Sequence, residues 1–197
     1  MYSEYGKKMS AMEQNKIARD GYIFISIIFY ITGLLHMLWL GAAPMAICIA
    51  GGIILISYGI IKVIGYFSND LYCLAFQYDM GCGLFLVVIG VIILGCNLRI
   101  QPYLMPGLGL LILLDSLMKV QTAREARAFG LKSWILLLSL SILAGAFGAL
   151  IVIMPFQKPK IVHVITGCGL LAEGAMNHLM VKEMVKIMNV RLASDKR

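Results

Sequence analysis

The chain has 197 residues, of which 60% are hydrophobic and 14% charged, and its mean hydropathy is +0.88. A soluble domain is about 45–50% apolar and about 25% charged, so this composition excludes a soluble globular fold and indicates a membrane protein. The net charge of +7 does not indicate a nucleic-acid partner. The basic residues lie between apolar runs, where they set topology and attract anionic lipid headgroups.

Six apolar runs, each long enough to span a bilayer, predict six transmembrane helices, because backbone groups in lipid must bond within a helix. In chain order the predicted spans are 21–40, 45–66, 79–98, 103–120, 133–154 and 161–181. The predicted fold is therefore an all-α membrane protein with a six-helix domain at 21–181. A polar N-terminal segment, 1–20, precedes this domain, and a basic tail, 182–197, follows it.

Lysine and arginine are distributed unevenly, with 14 of the 17 on one side of the predicted membrane and three on the other. Cytoplasmic loops carry an excess of these residues. We therefore predict that both termini are cytoplasmic and that the protein is a multi-pass protein of the plasma (inner) membrane.

The lengths of the connections predict which helices pair. Short turns on the outer side, at 41–44, 99–102 and 155–160, predict that helices one and two, three and four, and five and six pack as antiparallel pairs. The inner connections, 67–78 and 121–132, are longer. Within the second of these, residues 123–129 are predicted to be helical, with arginines available to lipid headgroups.

The three hairpins align as repeats, at about 21–66, 79–120 and 133–181, when the chain is shifted by 57 and then 58 residues. Small residues coincide at equivalent positions. These are Gly33, Gly90 and Gly148 in the odd-numbered helices, Gly52, Gly109 and Gly167 in the even-numbered helices, and Gly59, Ser116 and Gly174 seven residues later. Small residues let helix backbones approach closely in lipid, so these positions are predicted to be helix-packing sites.

The even-numbered helix cores at 52–59, 109–116 and 167–174, spaced as three hairpins, carry a family resemblance. Over residues 21–181 the chain resembles the acid-resistance membrane proteins of the HdeD type, which are built from a short membrane repeat. The resemblance implies a six-helix inner-membrane protein linked to acid stress, and it implies no catalytic residues.

Two carboxylic acids, Asp115 and Glu173, occupy equivalent positions within the predicted spans, and Lys119 and Asn177 follow them by four residues. Ionisable groups inside a membrane are costly and by default indicate a functional site. One hypothesis is a proton-binding pair, with Glu173 near the membrane midplane. The structural alternative pairs Asp115 with Lys119 along one helix and leaves Glu173 protonated and bonded to a neighbouring helix.

Other reactive side chains are scattered. His36 and His163 lie near the outer ends of their helices, where they could sense external acid or rest as amphipathic rings at the interface. The five cysteines form no metal-binding pattern and are interpreted as packing residues. The sequence contains no phosphate-binding loop, nucleophile elbow or H-E-x-x-H motif, so we predict no catalytic, cofactor-binding or metal site.

Together these patterns predict a non-enzymatic multi-pass membrane protein, involved in acid or envelope stress if the resemblance holds. The alternative is a small proton-linked transporter or channel that uses Glu173 and Asp115. The few other polar residues in the helix middles favour the first hypothesis. The predicted partners are the lipid bilayer and anionic headgroups on the cytoplasmic side, without nucleic acid, and the sequence leaves a homo-oligomer open.

Overall fold

The computed structural model contains six α-helices and no β-strand within the residues that it describes. The helices are α1 (Tyr2–Met37), α2 (Pro44–Phe67), α3 (Asp79–Gly95), α4 (Asn97–Ala128), α5 (Trp134–Ile153) and α6 (Pro159–Ser194). The structure describes the backbone of residues 2–38, 44–67, 79–95, 97–128, 130, 132–154 and 159–194, and side chains within 16–38, 45–67, 80–95, 103–128, 130, 132–154 and 160–182. Most of the predicted inner connection 67–78, and parts of the turns 41–44 and 155–160, lie outside these ranges.

Five of the helices are long and apolar enough to cross a membrane. Their candidate spans are Lys16–Met37, Met45–Phe67, Tyr103–Ala128, Trp134–Ile153 and Lys160–Lys182. The third predicted span, 79–98, is wrong at its end, because α3 stops at Gly95 and its apolar part is Met80–Gly95. At 1.5 Å per residue that part is roughly 24 Å long, somewhat less than the roughly 30 Å hydrocarbon core.

Large apolar side chains are exposed on every helix, whereas a water-soluble protein buries most of its large apolar side chains. Ile31 of α1, Val91 of α3 and Ile142 of α5 each have more than half of their surface exposed. Monomeric soluble proteins rarely expose contiguous apolar patches of more than a few hundred Å². The exposed belt therefore matches a lipid environment and a multi-pass membrane protein.

Several helix ends differ from the sequence prediction. The predicted outer turn at 99–102 lies inside α4, because α4 begins at Asn97, one residue past the end of α3. Pro44 and Pro159 open α2 and α6, where the missing N–H of proline costs no helical hydrogen bond. The predicted helix at 123–129 is confirmed up to Ala128, as a continuation of α4.

The predicted pairing of helices is wrong as an account of the closest packing. The most extensive contacts join α2 to α3, α4 to α5 and α1 to α6, whereas α3 and α4 touch least of all the contacting pairs, although only one residue separates them. Connection length brings two helices near each other but does not decide which surfaces fit. In lipid, the positions of the small residues determine which helices pack tightly, because small residues allow close backbone contact.

Glycine faces glycine in each of the three tight pairs. A Cβ atom added to Gly52 of α2 would lie 3.2 Å from the Gly90 carbonyl oxygen of α3. The equivalent distances are 3.0 Å from Gly109 of α4 to the Gly148 oxygen of α5 and 2.6 Å from Gly167 of α6 to the Gly33 oxygen of α1. The nine small residues singled out as packing sites are all buried: Gly33, Gly52, Gly59, Gly90, Gly109, Ser116, Gly148, Gly167 and Gly174.

Gly59 allows a direct test of this close packing. Its added Cβ would lie 2.5 Å from the Gly83 carbonyl oxygen and 2.9 Å from the Val87 backbone nitrogen. Backbone cannot move aside without displacing α3, so we expect Gly59→Ala to lower the free energy of unfolding by about 1–3 kcal/mol. The measurement is denaturation of the protein in mixed detergent micelles.

Gly51→Ala is the matched control, because a Cβ on Gly51 of the same helix meets no atom within 4 Å. It is expected to leave stability unchanged or to raise it by up to about 1 kcal/mol, the helix-propensity gain of alanine over glycine. Equal stabilities for the two variants would contradict the packing described here.

Candidate functional site

Six polar side chains converge between α2, α4 and α6. One level contains Tyr58, Asp115 and Glu173, one residue from each helix, and is called here the acid layer. One helical turn further along each helix lie Lys62, Lys119 and Asn177, called here the lysine layer. All six residues are buried, and none has more than 8% of its surface exposed.

Lys119 links the two acids. Its Nζ atom lies 2.6 Å from Asp115 Oδ2, on the same helix, and 2.6 Å from Glu173 Oε2 of α6. Both distances are those of charge-assisted hydrogen bonds. The Lys119 ammonium group therefore joins α4 to α6 through Glu173 and also binds Asp115 on its own helix.

Asp115 is the most heavily bonded member of the cluster. Lys62 Nζ of α2 lies 2.9 Å from Asp115 Oδ1, and the Tyr58 hydroxyl donates to Asp115 Oδ2 at 3.0 Å. The Lys62 ammonium also lies 5.0 Å from the centre of the Tyr58 ring, within the range of a cation–π contact. These contacts join α2 to α4.

Asn177 and Glu173 complete the cluster from α6. Asn177 Nδ2 donates to the Tyr58 hydroxyl oxygen at 3.3 Å, which connects α6 to α2. Glu173 Oε1 is buried and has no hydrogen-bond partner among the residues that the structure describes. Asp115 Oδ1 also has no hydrogen bond, although Lys62 Nζ lies 2.9 Å from it. The cluster thus contains two ammonium groups and two carboxyl groups, and Glu173 Oε1 is the carboxyl oxygen of the cluster with neither a hydrogen bond nor an ion pair among the described residues.

Helical geometry explains why these residues meet. Positions four apart lie on the same face of a helix, so each acid-layer residue stands above a lysine-layer residue. The next residue in sequence is rotated by about 100° and is small: Gly59, Ser116 or Gly174. Gly59 packs on α3, Ser116 on α5 and Gly174 on α1, so the preceding polar side chain is directed inward.

A cavity of about 1160 Å³ reaches the acid layer. Its walls are mostly apolar and come from α1, α2, α3, α4 and α6. Tyr58, Asp115 and Glu173 line it, whereas no member of the lysine layer does. A molecule in the cavity therefore meets the acids first, with the lysines behind them.

His36 and His163 also line this cavity, at the end of the helices away from the acid layer. Their ring centres are 5.4 Å apart, and His36 Nδ1 lies 2.9 Å from the Thr32 carbonyl oxygen. In the described part of the chain, no three His, Cys, Asp or Glu side chains cluster as a metal site would require. The sequence places these histidines at one end of the bundle, and the structure makes them neighbours.

The hydroxyl groups in the helix middles do not form a polar path that continues from the acid layer or the lysine layer. Ser26 donates to the Tyr22 carbonyl oxygen and Ser141 to that of Leu137, each at 2.7 Å and within its own helix. Such local bonds satisfy the hydroxyl within its own helix; Ser141 Oγ also contacts Met176 Sδ of α6 at 3.1 Å, a weak acceptor. The polar character of the interior is therefore concentrated at the two layers.

The structure brings all four predicted intramembrane polar residues together: Asp115, Glu173, Lys119 and Asn177. The Asp115–Lys119 pair along α4 has the expected i,i+4 spacing, and Glu173 bonds to Lys119 of a neighbouring helix, as the structural alternative expects. Sequence reasoning did not include Tyr58 and Lys62 in the site. Their equivalence to Asp115 and Lys119 in the repeat was the signal that could have identified them.

The chain matches no family model, no curated protein and no solved structure. The resemblance to the HdeD type stays a prediction.

Lys119 is the residue whose loss should cost most. We expect Lys119→Met to lower the free energy of unfolding by about 3–5 kcal/mol, because it leaves buried carboxylates without their shared cation. Denaturation in mixed micelles measures the effect. Lys132→Met, at an exposed lysine outside the cluster, is the control and should change stability by no more than about 0.5 kcal/mol.

The double variant Lys119→Met/Glu173→Gln separates charge from packing. Removing both partners leaves Asp115 with Lys62, so the double variant should be more stable than the sum of the two single effects predicts. Additive losses would show that Lys119 and Glu173 do not interact as described.

Proposed function

We propose that this chain is a small, proton-linked, multi-pass membrane transport protein with Glu173 and Asp115 at the centre of its path. The observation that carries the proposal is the cavity that reaches the acid layer. A buried carboxyl group at the end of a cavity inside a membrane protein is the usual setting of a proton relay. The proposed role is non-enzymatic.

Proton uptake by Glu173 supplies a mechanism. The carboxylate of Glu173 and the ammonium of Lys119, 2.6 Å apart, attract each other strongly where water is excluded. A proton on Glu173 removes this attraction, while Lys119 keeps its bond to Asp115. The contact between α4 and α6 is then weakened and the contact within α4 is not, so protonation favours movement of α6 relative to α4.

The closed end of the path fits a state that faces one side of the membrane. One turn beyond the lysine layer, Ala123 of α4 and Val181 of α6 are buried. Buried side chains of α4 and α6 therefore follow the cluster on the side opposite the cavity, whereas Tyr66, at the same level of α2, is exposed. Transport requires this end to open when the cluster rearranges, as in alternating access around a fixed site.

We also propose that the bundle is a threefold repeat of a helical hairpin, with both termini in the cytoplasm and the protein in the plasma (inner) membrane. The three equivalent glycine contacts, α2 with α3, α4 with α5 and α6 with α1, support the repeat. The excess of lysine and arginine on one side supports the orientation. Lys62 and Lys119 lie inside the bundle and contribute nothing to that argument.

A second candidate is the non-conducting acid- or envelope-stress protein of the HdeD type. The balance of two lysines against two acids favours it, because a compensated network can hold helices together without moving any ion. The family resemblance supports it as well.

Proton flux into proteoliposomes under an acid-outside gradient distinguishes the candidates. We expect the wild-type protein to conduct above empty liposomes and Glu173→Gln to conduct no more than empty liposomes, because glutamine cannot bind and release a proton. The variant should still fold, since Lys119 retains Asp115 as a partner.

Glu125→Gln is the matched control. Glu125 lies on α4 two turns beyond the cluster and does not line the cavity, so its flux should equal that of the wild type. A wild-type protein that conducts no better than empty liposomes would contradict transport and leave the stress-protein candidate.

A further inference from the structure

We propose that the cavity binds a lipophilic ammonium ion, with its N–H groups at Glu173 and its apolar body against the cavity walls. This proposal rests on the proposed transport function in one respect only, since it takes the bound ion to be the transported substrate. The binding site itself is argued from the acid layer, the walls and the opening of the cavity.

The head-group position is set by the unoccupied oxygen of Glu173. Glu173 Oε1 is buried without a hydrogen-bond partner among the described residues, in a side chain that lines the cavity. Asp115 Oδ1 also has no hydrogen bond, but it lies 2.9 Å from Lys62 Nζ, and Asp115 Oδ2 contacts Tyr58 and Lys119. A buried acceptor without a donor is costly, so a ligand that supplies an N–H group gains a contact that the protein leaves open.

The order of the two layers selects a cation. The carboxyl groups of Asp115 and Glu173 line the cavity, and the ammonium groups of Lys62 and Lys119 do not. An ionised carboxylate only accepts hydrogen bonds. An anionic head group beside the acid layer would face two acids, and the nearby donors, the Tyr58 hydroxyl and Lys119 Nζ, already bond to those acids. An ammonium group would find an acceptor and an opposite charge there.

The walls select an apolar body. Most side chains around the cavity are aliphatic, among them Leu55, Leu86, Ile89, Ile93, Leu108 and Leu111. The volume of about 1160 Å³ slightly exceeds the range of roughly 300–1,000 Å³ that is typical of small-molecule sites. A molecule with one cationic end and a large apolar remainder fits both the walls and the acid layer.

The way in lies between α3 and α4. Among the residues that the structure describes, these two helices make the fewest contacts of any touching pair, and both line the cavity. Phe85 of α3 and Leu110 of α4 line it while remaining nearly half exposed on the lipid-facing surface. A lipophilic ion that has partitioned into the bilayer can therefore reach the cavity from the side.

The test is equilibrium binding measured by fluorescence anisotropy in detergent micelles. The probe is rhodamine 6G, a lipophilic cation with N–H donors, and the comparison dye is Nile red, which is uncharged and has no N–H group. We expect the wild-type protein to bind rhodamine 6G more tightly than Nile red. Glu173→Gln should weaken rhodamine 6G binding roughly tenfold or more, because it removes a charge-assisted hydrogen bond, and should leave Nile red unchanged.

Two further variants distinguish loss of the binding site from loss of the fold. Gly51→Phe places a ring in the cavity at a position where an added Cβ meets no atom within 4 Å, so it should abolish binding of both dyes with the ion pairs intact. Glu125→Gln should bind rhodamine 6G like the wild type. Absence of rhodamine 6G binding to the wild type, or equal binding by wild type and Glu173→Gln, would overturn the proposal.

Binding and transport can fail separately. The anisotropy measurement needs no flux, and the proteoliposome measurement contains no dye. Proton flux without rhodamine 6G binding would overturn the ligand and keep the proposed function. Binding that depends on Glu173, without any flux, would support the site and contradict transport.

Discussion

The bond that Lys119 makes to both Asp115 and Glu173 is the interaction on which the interior depends. Charges inside a membrane bundle are costly, and they become tolerable when each is paired at close range. The Lys119–Glu173 distance is 2.6 Å, so α4 and α6 can move little relative to each other while this pair persists; the Lys119–Asp115 contact, also 2.6 Å, lies within α4. The separation of these helices is therefore set by a charged contact at their centre, and the rest of the packing must accommodate it.

The small residues make that accommodation possible. Each acid-layer residue is followed by a glycine or serine that contacts an odd-numbered helix, so one side of each even-numbered helix is packed tightly against a support and the adjacent side faces the cluster. The tight glycine contacts join a helix of one hairpin to a helix of the next hairpin. The contacts between the two helices of a single hairpin are not fixed by these glycines, and they differ in extent from one hairpin to another. The interface between α3 and α4 is the sparsest, which is why the cavity reaches the lipid there.

Much of the architecture follows from hydropathy alone, and the rest depends on contacts between distant segments. Apolar runs predict the helices because lipid leaves the backbone no other partner, but they do not predict that α3 ends at Gly95. Helix pairing was inferred from turn length and was wrong, since the fit between glycine surfaces outweighs proximity along the chain. Lys62 was interpreted as a topology charge because a lysine near a helix end usually is one. Its ion pair with Asp115, 53 positions along the chain, has no local signal.

In the sequence, the scarcity of polar residues in the helix middles indicates that the protein has no conducting path. That reasoning assumes that a path is lined along its length, as in a water-filled channel. Here the polar groups are gathered into two adjacent layers, while the cavity that leads to them is apolar and open toward lipid. Such an arrangement does not favour a continuous ion stream. It fits a barrier that rearranges when a proton or a cationic head group reaches Glu173. That side chain makes the bond that joins α6 to α4, and its Oε1 atom has neither a hydrogen bond nor an ion pair among the described residues.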